Sequence, residues 1–469
     1  MSDAQSLFGV LRQSAPPEIA DAIERLVAAA PDRKLNRINA LRFAADEGLS
    51  EERTISGLLH ASRLGLFEFS WNVLCPGCGG VLDAGTSLKH VRSDVYTCAL
   101  CAAGYDPSLD EMVEVTFTVS PNIRRIAAHN PHQLPPYEYF RQMYWGSGID
   151  LPEDNYEAMV DEFVIEALEL PAGGKAVISL QLPEAFIIVF EPVTHAAQFI
   201  DVKGEPTKER QALSLVFDRG HRHKETLLMR PGALRITVEN HIEVRALPSV
   251  CIANDALHHV LGKRRPFLAA SRVLSNQTFR DLYHTNMLEI DQRLKIASLT
   301  FLFTDLRGST ELYERVGDLA AFDLVRAHFK ILGEIVDSET GAVVKTIGDA
   351  VMATFIAPER AIAAALRMRE AMKQLNEQRG GDDMILKIGI HEGPCIAVSL
   401  NDRQDYFGQT VNIASRVQHL AASNEIFATE AVLENPRGRE LLAARGLKTA
   451  RQSLALRGIS REFGIFAIA

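Results

Sequence analysis

The clearest periodicity in the chain runs from Leu234 to Arg245. Leu234, Ile236, Val238, Asn240, Ile242 and Val244 alternate with Arg235, Thr237, Glu239, His241, Glu243 and Arg245, the pattern of a strand with one buried face. Shorter strand candidates at 112–119, 176–182, 185–191, 212–217 and 225–229 are parted by Pro, Gly and charged turns, which predicts an antiparallel β-sandwich over 111–250. Upstream, 17–29, 34–46 and 51–64 read as amphipathic helices, with Ser50 placed to cap the third, and 65–69 as a short strand. Helical patterns at 253–263 and 276–294 form a connector. Phe279, Leu282 and Leu288 do not sustain three heptads, so no coiled coil is expected.

The C-terminal part switches between the two periods. Leu299-Thr300-Phe301-Leu302-Phe303 is a buried-strand run, followed by a helix with Phe322, Val325, Phe329, Leu332 and Val336 spaced by threes and fours. Gly348-Asp349 forms a hairpin turn between 342–347 and 350–355, and a helix opens at Pro358. A strand over 384–391 and a helix around Val411–Val417 complete a βααββαβ order. That order predicts an α+β, ferredoxin-like domain with helices covering one face of its sheet.

Composition narrows the class. A chain of 469 residues should form about three domains. The net charge of -10 disfavours a nucleic-acid-binding protein. The first helices and strand resemble a winged helix, but residues 1–70 hold 8 Lys+Arg against 10 Asp+Glu, and Glu51-Glu52 would repel phosphates. No apolar run reaches the ~20 residues of a membrane span, and Met1–Ser6 lacks the start of a signal peptide, so the expected compartment is the cytoplasm. Thiols stay reduced there, and cysteines are read first as metal ligands.

Two stretches then carry chemistry. Cys75-Pro76-Gly77-Cys78 and Cys98-Ala99-Leu100-Cys101, nineteen residues apart, are two knuckles that aim four thiolates at one point and predict a closed, structural Zn2+ site. His90 between them is not needed as a ligand. Asp305, in Thr304-Asp305-Leu306-Arg307-Gly308-Ser309-Thr310, sits where a strand ends and a helix begins; Asp349 sits at the hairpin. Free amides at a helix start favour phosphate, and two carboxylates on neighbouring strand ends suggest two-metal phosphoryl transfer. Pro171-Ala172-Gly173-Gly174-Lys175 lacks the spacing of a phosphate loop and reads as a plain turn. Arg219, His221, Arg222, His223 and Lys224 read as a solvated basic loop. Cys251, His391 and Cys395 receive structural readings.

Four ordered motifs carry a resemblance: the Asp305 stretch, Lys345-Thr346-Ile347-Gly348-Asp349-Ala350, Asp405-Tyr406-Phe407-Gly408, and Thr410-Val411-Asn412-Ile413-Ala414-Ser415-Arg416. Over 297–469 the chain resembles the class III adenylate/guanylate cyclase catalytic domain. The regions before it look like those that precede such domains in a group of bacterial cyclases. The resemblance implies that Asp305, Asp349 and the Leu306 carbonyl hold two Mg2+ or Mn2+ ions, with Gly308, Ser309 and Thr310 beside the phosphates. It implies that Arg416 stabilises the α-phosphoryl charge, that Asn412 orients the ribose, and that Lys345 and Asp405 select adenine. Arg457 stands where the family usually has a triphosphate-binding lysine, a change that keeps the charge but alters its geometry. In the family, the metal-holding and the base- and phosphate-reading residues come from two catalytic domains, so a homodimer is expected.

The resulting expectation is an adenylate cyclase making cyclic AMP and pyrophosphate. It comprises a helical and zinc-ribbon region (1–110), a sandwich (111–250), a helical linker (251–296) and the catalytic domain (297–469), its input signal or partner unspecified. A guanylate cyclase and a catalytically idle nucleotide-binding regulator are the alternatives.

Overall fold

The computed structural model describes residues 2–218, 225–283, 288–289, 292–308, 314–379, 381, 384–400, 403–422, 424–459 and 462–469. Its chain divides into two compact units, 1–107 with 112–268 and 108–111 with 269–469. No helix among the described residues is long and apolar enough to cross a membrane.

In the first unit, helices Ser2–Ser14, Pro17–Ala29, Ala40–Glu47 and Glu51–Arg63 precede a three-stranded antiparallel sheet, with Phe67–Leu74 between Val81–Gly85 and Val113–Val119. Ser50 occupies the N-cap position but makes no capping bond through its side chain; Asn39 does, accepting from the amides of Leu41 and Arg42. The next strands form two sheets that enclose a core containing Ile178, Ile187, Val189, Leu215, Leu234, Ile236 and Val238. The alternation from Leu234 holds through Asn240, where the strand ends. The expected antiparallel sandwich needs correction: Thr207–Phe217 runs parallel to Gly232–Asn240, and Leu227–Met229 parallel to Ala196–Val202. Between its two long strands the chain crosses to the opposite sheet as Leu227–Met229 and then returns, which reverses direction twice and leaves the outer pair parallel. The 171–175 stretch is a turn, with Gly173 at φ 68° and the Gly174 amide donating to the Pro171 carbonyl at 2.9 Å. The basic loop 219–224 lies outside the described residues.

The second unit is organised by the strand Leu294–Leu306. It lies in mid-sheet, antiparallel to Ala350–Phe355 on one side and to Leu386–Leu400 on the other. Beyond these come Ala342–Ile347 at one edge, and Ile426–Thr429, Glu462–Ile468 and Thr449–Ala455 towards the other, with Arg403–Phe407 paired to the far half of Leu386–Leu400. The α+β fold class is as expected. Three details differ. The 276–294 region is helical only over Gln277–Leu282 among the described residues, and Leu294 already opens the central strand. A bulge between Ile296 and Leu299 takes the Ala297 and Ser298 amides off the ladder, and Asp110 accepts both, at 2.8 and 3.3 Å. Phe322, expected in the core, is 59% exposed.

The expectation of helices on one face needs correction as well: they lie on both faces of the sheet. Asp318–Ser338 and Pro358–Arg379 pack in the core that contains Ile426 and Ala428, while Gln409–Leu420 packs with the alternate residue Phe427. The last helix approaches Leu386–Leu400 so closely that a Cβ at Gly389 would sit 2.2 Å from the Gln418 amide nitrogen. Gly389→Ala should therefore displace the helix and cost on the order of 3 kcal/mol. Denaturant unfolding checks this, and an unchanged midpoint would contradict the packing.

Candidate functional site

Register places the two aspartates together. Thr304 pairs with Val351 and Ile347 with Ala350, so Asp305 falls opposite Ala350 and the turn residue Asp349 comes one position further on, close enough for its charge to act on Asp305. The Thr304 hydroxyl accepts from the Val351 amide at 3.1 Å and ties the hairpin to the central strand. Gly348 has φ 63°, the left-handed conformation this tight turn requires. Burial raises the Asp305 pKa, the Asp349 charge raises it further, and Lys387 and His419 partly offset both. Asp349 Oδ2 is buried and meets no hydrogen-bond partner among the described residues. Two carboxylates that repel one another, one with an orphaned oxygen, form a donor set suited to a divalent cation. The Leu306 main chain adjoins them, and its side chain is buried. Gly308 follows at φ 68°; Ser309 and Thr310 lie outside the described residues.

His328 was absent from the sequence expectations. It is buried in the helix Asp318–Ser338, and desolvation holds its pKa down to about 4 although the Asp349 charge works against this. It is a neutral ring beside the second aspartate. Only its place on the apolar face of the helix hinted at burial.

Lys345 and Asp405 meet on a different part of the sheet. The Lys345 ammonium donates to Asp405 Oδ2 at 2.5 Å, with the lysine side chain 42% and the aspartate 10% exposed. Asp405 Oδ1 also accepts the Tyr406 amide at 2.8 Å, which fixes the carboxylate plane. The bulge between Val343 and Lys345 shifts the side-chain register on this strand and re-aims Lys345.

On Gln409–Leu420, Asn412 is exposed and Arg416 half-buried. The Arg416 guanidinium lies 3.7 Å from where a Cβ would stand at Gly458, so it adjoins the turn that carries the exposed Arg457. The expected site residues thus gather into three groups: Asp305 with Asp349, Lys345 with Asp405, and Arg416 with the Arg457 turn. His391 donates to or accepts from Thr429 at 2.7 Å in the core, and burial pushes the Cys395 thiol up to about 12. Both fit structural roles.

In the first unit the sulfurs of Cys75, Cys78, Cys98 and Cys101 all lie within 4.8 Å of one another, a cluster that could hold a metal ion. Cys75–Cys101 and Cys78–Cys98 are each 3.6 Å apart. The Cys78 and Gly80 amides donate to Cys75 and Cys78 sulfurs at 3.5 and 3.4 Å. A Cβ at Gly77 would fall 2.9 Å from the Cys101 sulfur, so the knuckle requires glycine there. His90 is not part of the cluster. Cys251 stands apart, its thiol pushed up to about 11 by burial.

Known proteins divide along the same lines. Residues 1–281 match a family of unknown function, DUF5939, and residues 292–460 match the adenylate and guanylate cyclase catalytic domain. An adenylate cyclase of Anabaena cylindrica is 29% identical over 185 residues, which are 36% of this chain and 36% of that protein. The human guanylate cyclase soluble subunit beta-2 is 27% identical over 139 residues, 28% of this chain and 22% of that one. The match therefore spans well under half of either relative. Among solved structures, the adenylyl cyclase CyaB from P. aeruginosa is 25% identical with a TM-score of 0.34, covering 38% of this chain and 96% of that one.

The Asp305 environment has a thermodynamic signature. Its pKa is raised in the folded state, so its contribution to stability is fully present below the ordinary aspartate range and is lost as pH rises through the folded pKa. In metal-free protein, Asp305→Asn should raise the unfolding temperature at neutral pH, and the gain should shrink as pH falls towards about 4. Thermal unfolding of both proteins across that range checks this; a pH-independent difference contradicts it.

Proposed function

The chain belongs to the DUF5939 family over residues 1–281, and its C-terminal segment is a class III adenylate/guanylate cyclase catalytic domain; from that premise we propose that it converts ATP to 3′,5′-cyclic AMP and pyrophosphate. The observation that carries the choice of base is the Lys345–Asp405 pair. It presents a donor beside an acceptor, and adenine presents the complement, the N1 acceptor beside the 6-amino donor. In the same pose guanine has N1–H and O6, which would set donor against donor and acceptor against acceptor. Each mismatch costs on the order of 1–3 kcal/mol when desolvated. Guanylate cyclases are among the relatives, and this pair is what speaks for ATP over GTP.

The remaining roles follow from charge and place. Asp305, Asp349 and the Leu306 carbonyl would hold two Mg2+ or Mn2+ ions, which lower the pKa of the ribose 3′-hydroxyl and neutralise phosphate oxygens. Asn412 orients the ribose so that its 3′-oxygen faces the α-phosphorus. Arg416 stabilises the charge that develops there as the new P–O bond forms and the bond to the bridging oxygen breaks, with pyrophosphate leaving. Arg457 holds the triphosphate, and its fork suits two phosphate oxygens at once.

The functional unit is a homodimer in which Asp305 and Asp349 of one protomer face Asn412 and Arg416 of its partner. Apolar side chains beside these groups in sequence support an interface: Ile347, Phe407 and Leu420 are 51%, 65% and 39% exposed, as is Phe322 at 59%. The first unit serves as the regulatory input. Its four thiolates hold a structural Zn2+, since the 3.6 Å sulfur separations are close to the ~3.8 Å edge of a tetrahedron with ~2.3 Å Zn–S bonds.

Purified protein with Mn2+ should form cyclic AMP from ATP, and Asp305→Ala should lower the rate at least ~10³-fold. Absence of product, or a fully active variant, would sink the proposal. Metal analysis should find one zinc per chain, lost together with much of the first unit's thermal stability in Cys98→Ser; a zinc-free, equally stable wild type would contradict the thiolate site.

A further inference from the structure

The short helix Gln277–Leu282 reads in sequence as part of a connector, yet it belongs to the second unit. Asn276 caps it, accepting the Phe279 amide at 3.0 Å, and Phe279 is 1% exposed. From this anchor Arg280 donates to three main-chain carbonyls. Its Nε reaches the Val343 oxygen at 3.1 Å, and its Nη2 reaches the Val344 oxygen at 3.1 Å and the Gln404 oxygen at 3.0 Å. Gln277 adds a contact, accepting the Val343 amide at 2.8 Å. Just upstream, the Leu274 carbonyl accepts the hydroxyl of Tyr406 at 3.4 Å.

These partners are adjacent to the base-reading pair. Val344 precedes Lys345, and Gln404 precedes Asp405. Their strands are not hydrogen-bonded to each other: Ala342–Ile347 pairs with Ala350–Phe355, and Arg403–Phe407 with Leu386–Leu400. The ladder steps from Val343 opposite Ala353 to Lys345 opposite Met352, which leaves Val344 as the extra residue of the bulge. Its carbonyl is one of the three that the guanidinium takes up. Arg280 therefore satisfies a group the bulge frees and, in the same fork, ties together the backbones behind Lys345 and Asp405.

We propose that Arg280 is a specificity-determining positioning residue for the purine. It holds Lys345 and Asp405 at the separation that matches the adenine edge, so the segment preceding the central strand sets base choice. This rests on Lys345 and Asp405 reading the base, as in the function above. A lysine cannot replace the fork, because one ammonium cannot span three carbonyls in a fixed plane. Without the fork the bulge carbonyl loses its partner, the two strands separate or twist, and donor and acceptor no longer address adjacent ring positions.

The test compares full-length wild type with Arg280→Ala, Arg280→Lys and Gln277→Ala. Readouts are kcat and KM for ATP and for GTP, competition of ATP and GTP for binding, and unfolding temperature. Arg280→Ala should raise KM for ATP about tenfold and cut the ATP/GTP preference in kcat/KM and in binding by a similar factor. Arg280→Lys should restore little of that preference, and Gln277→Ala should shift it in the same direction by less. A purely structural role would lower kcat for both nucleotides alike through loss of folded protein, with KM and preference unchanged. That pattern, or a preference within twofold of wild type in a folded Arg280 variant, overturns the proposal. If Arg280→Ala does not fold, Arg280→Lys carries the same criterion. A wild type with no preference for ATP overturns the ATP reading instead, so the two failures are distinguishable.

Discussion

The second unit is built around a repulsion. Asp305 is the penultimate residue of the central strand, Asp349 sits in the turn of the neighbouring hairpin, and the ladder through Thr304 and Val351 holds them close together. The strand cannot slip to relieve this, because Leu302 and Phe301 face opposite sides of the sheet and are both fully buried. Ladder bonds on both sides and a packed interior thus hold two half-buried acids beside one another. Asp305 has its pKa raised by burial and then by the Asp349 charge, and Asp349 has a buried oxygen without a partner among the described residues. Positive charge placed between them would relieve the repulsion, and the proposed divalent ions would supply it.

A second charge arrangement is satisfied from the start. Lys345 and Asp405 neutralise each other at the surface of the same sheet, each aimed by a local device: a bulge for the lysine, a main-chain amide for the aspartate. Arg280 joins the strands behind them. Arg416 lies against the Gly458 turn on the helix that Gly389 allows to approach the sheet. On the proposed function, the metal-holding, base-reading and phosphate-stabilising groups are each pre-assembled on elements of the fold. Catalysis of that kind would require bringing those elements together around one nucleotide, and the exposed apolar side chains Ile347, Phe322 and Phe407 are surface that two protomers would cover.

Much of this was legible where the signal is local. A strand-terminal aspartate, a Gly-Asp turn and two Cys-x-x-Cys knuckles each declare themselves within a few residues. What was not legible depends on long-range geometry. The parallel strands of the first unit arise because the chain visits the opposite sheet at Leu227–Met229, and nothing in their alternation records direction. The helical reading of 276–294 overran Leu282 because the apolar residues that open the strand at Leu294 look the same over so short a span. Arg280 and Asp110 were invisible for another reason: their partners are main-chain groups, among them ones freed by bulges, which no residue type announces. Phe322 read as core because periodicity cannot tell a buried face from one that awaits a partner.

The proposed function requires that two half-sites, carried by every chain, complete each other between protomers. Mixing inactive Asp305→Ala and Arg416→Ala chains tests this directly. With random pairing about half of the dimers are mixed, and each mixed dimer has one intact site, so cyclic AMP formation should recover to about a quarter of the wild-type rate. A mixture no more active than the two variants measured separately would contradict it.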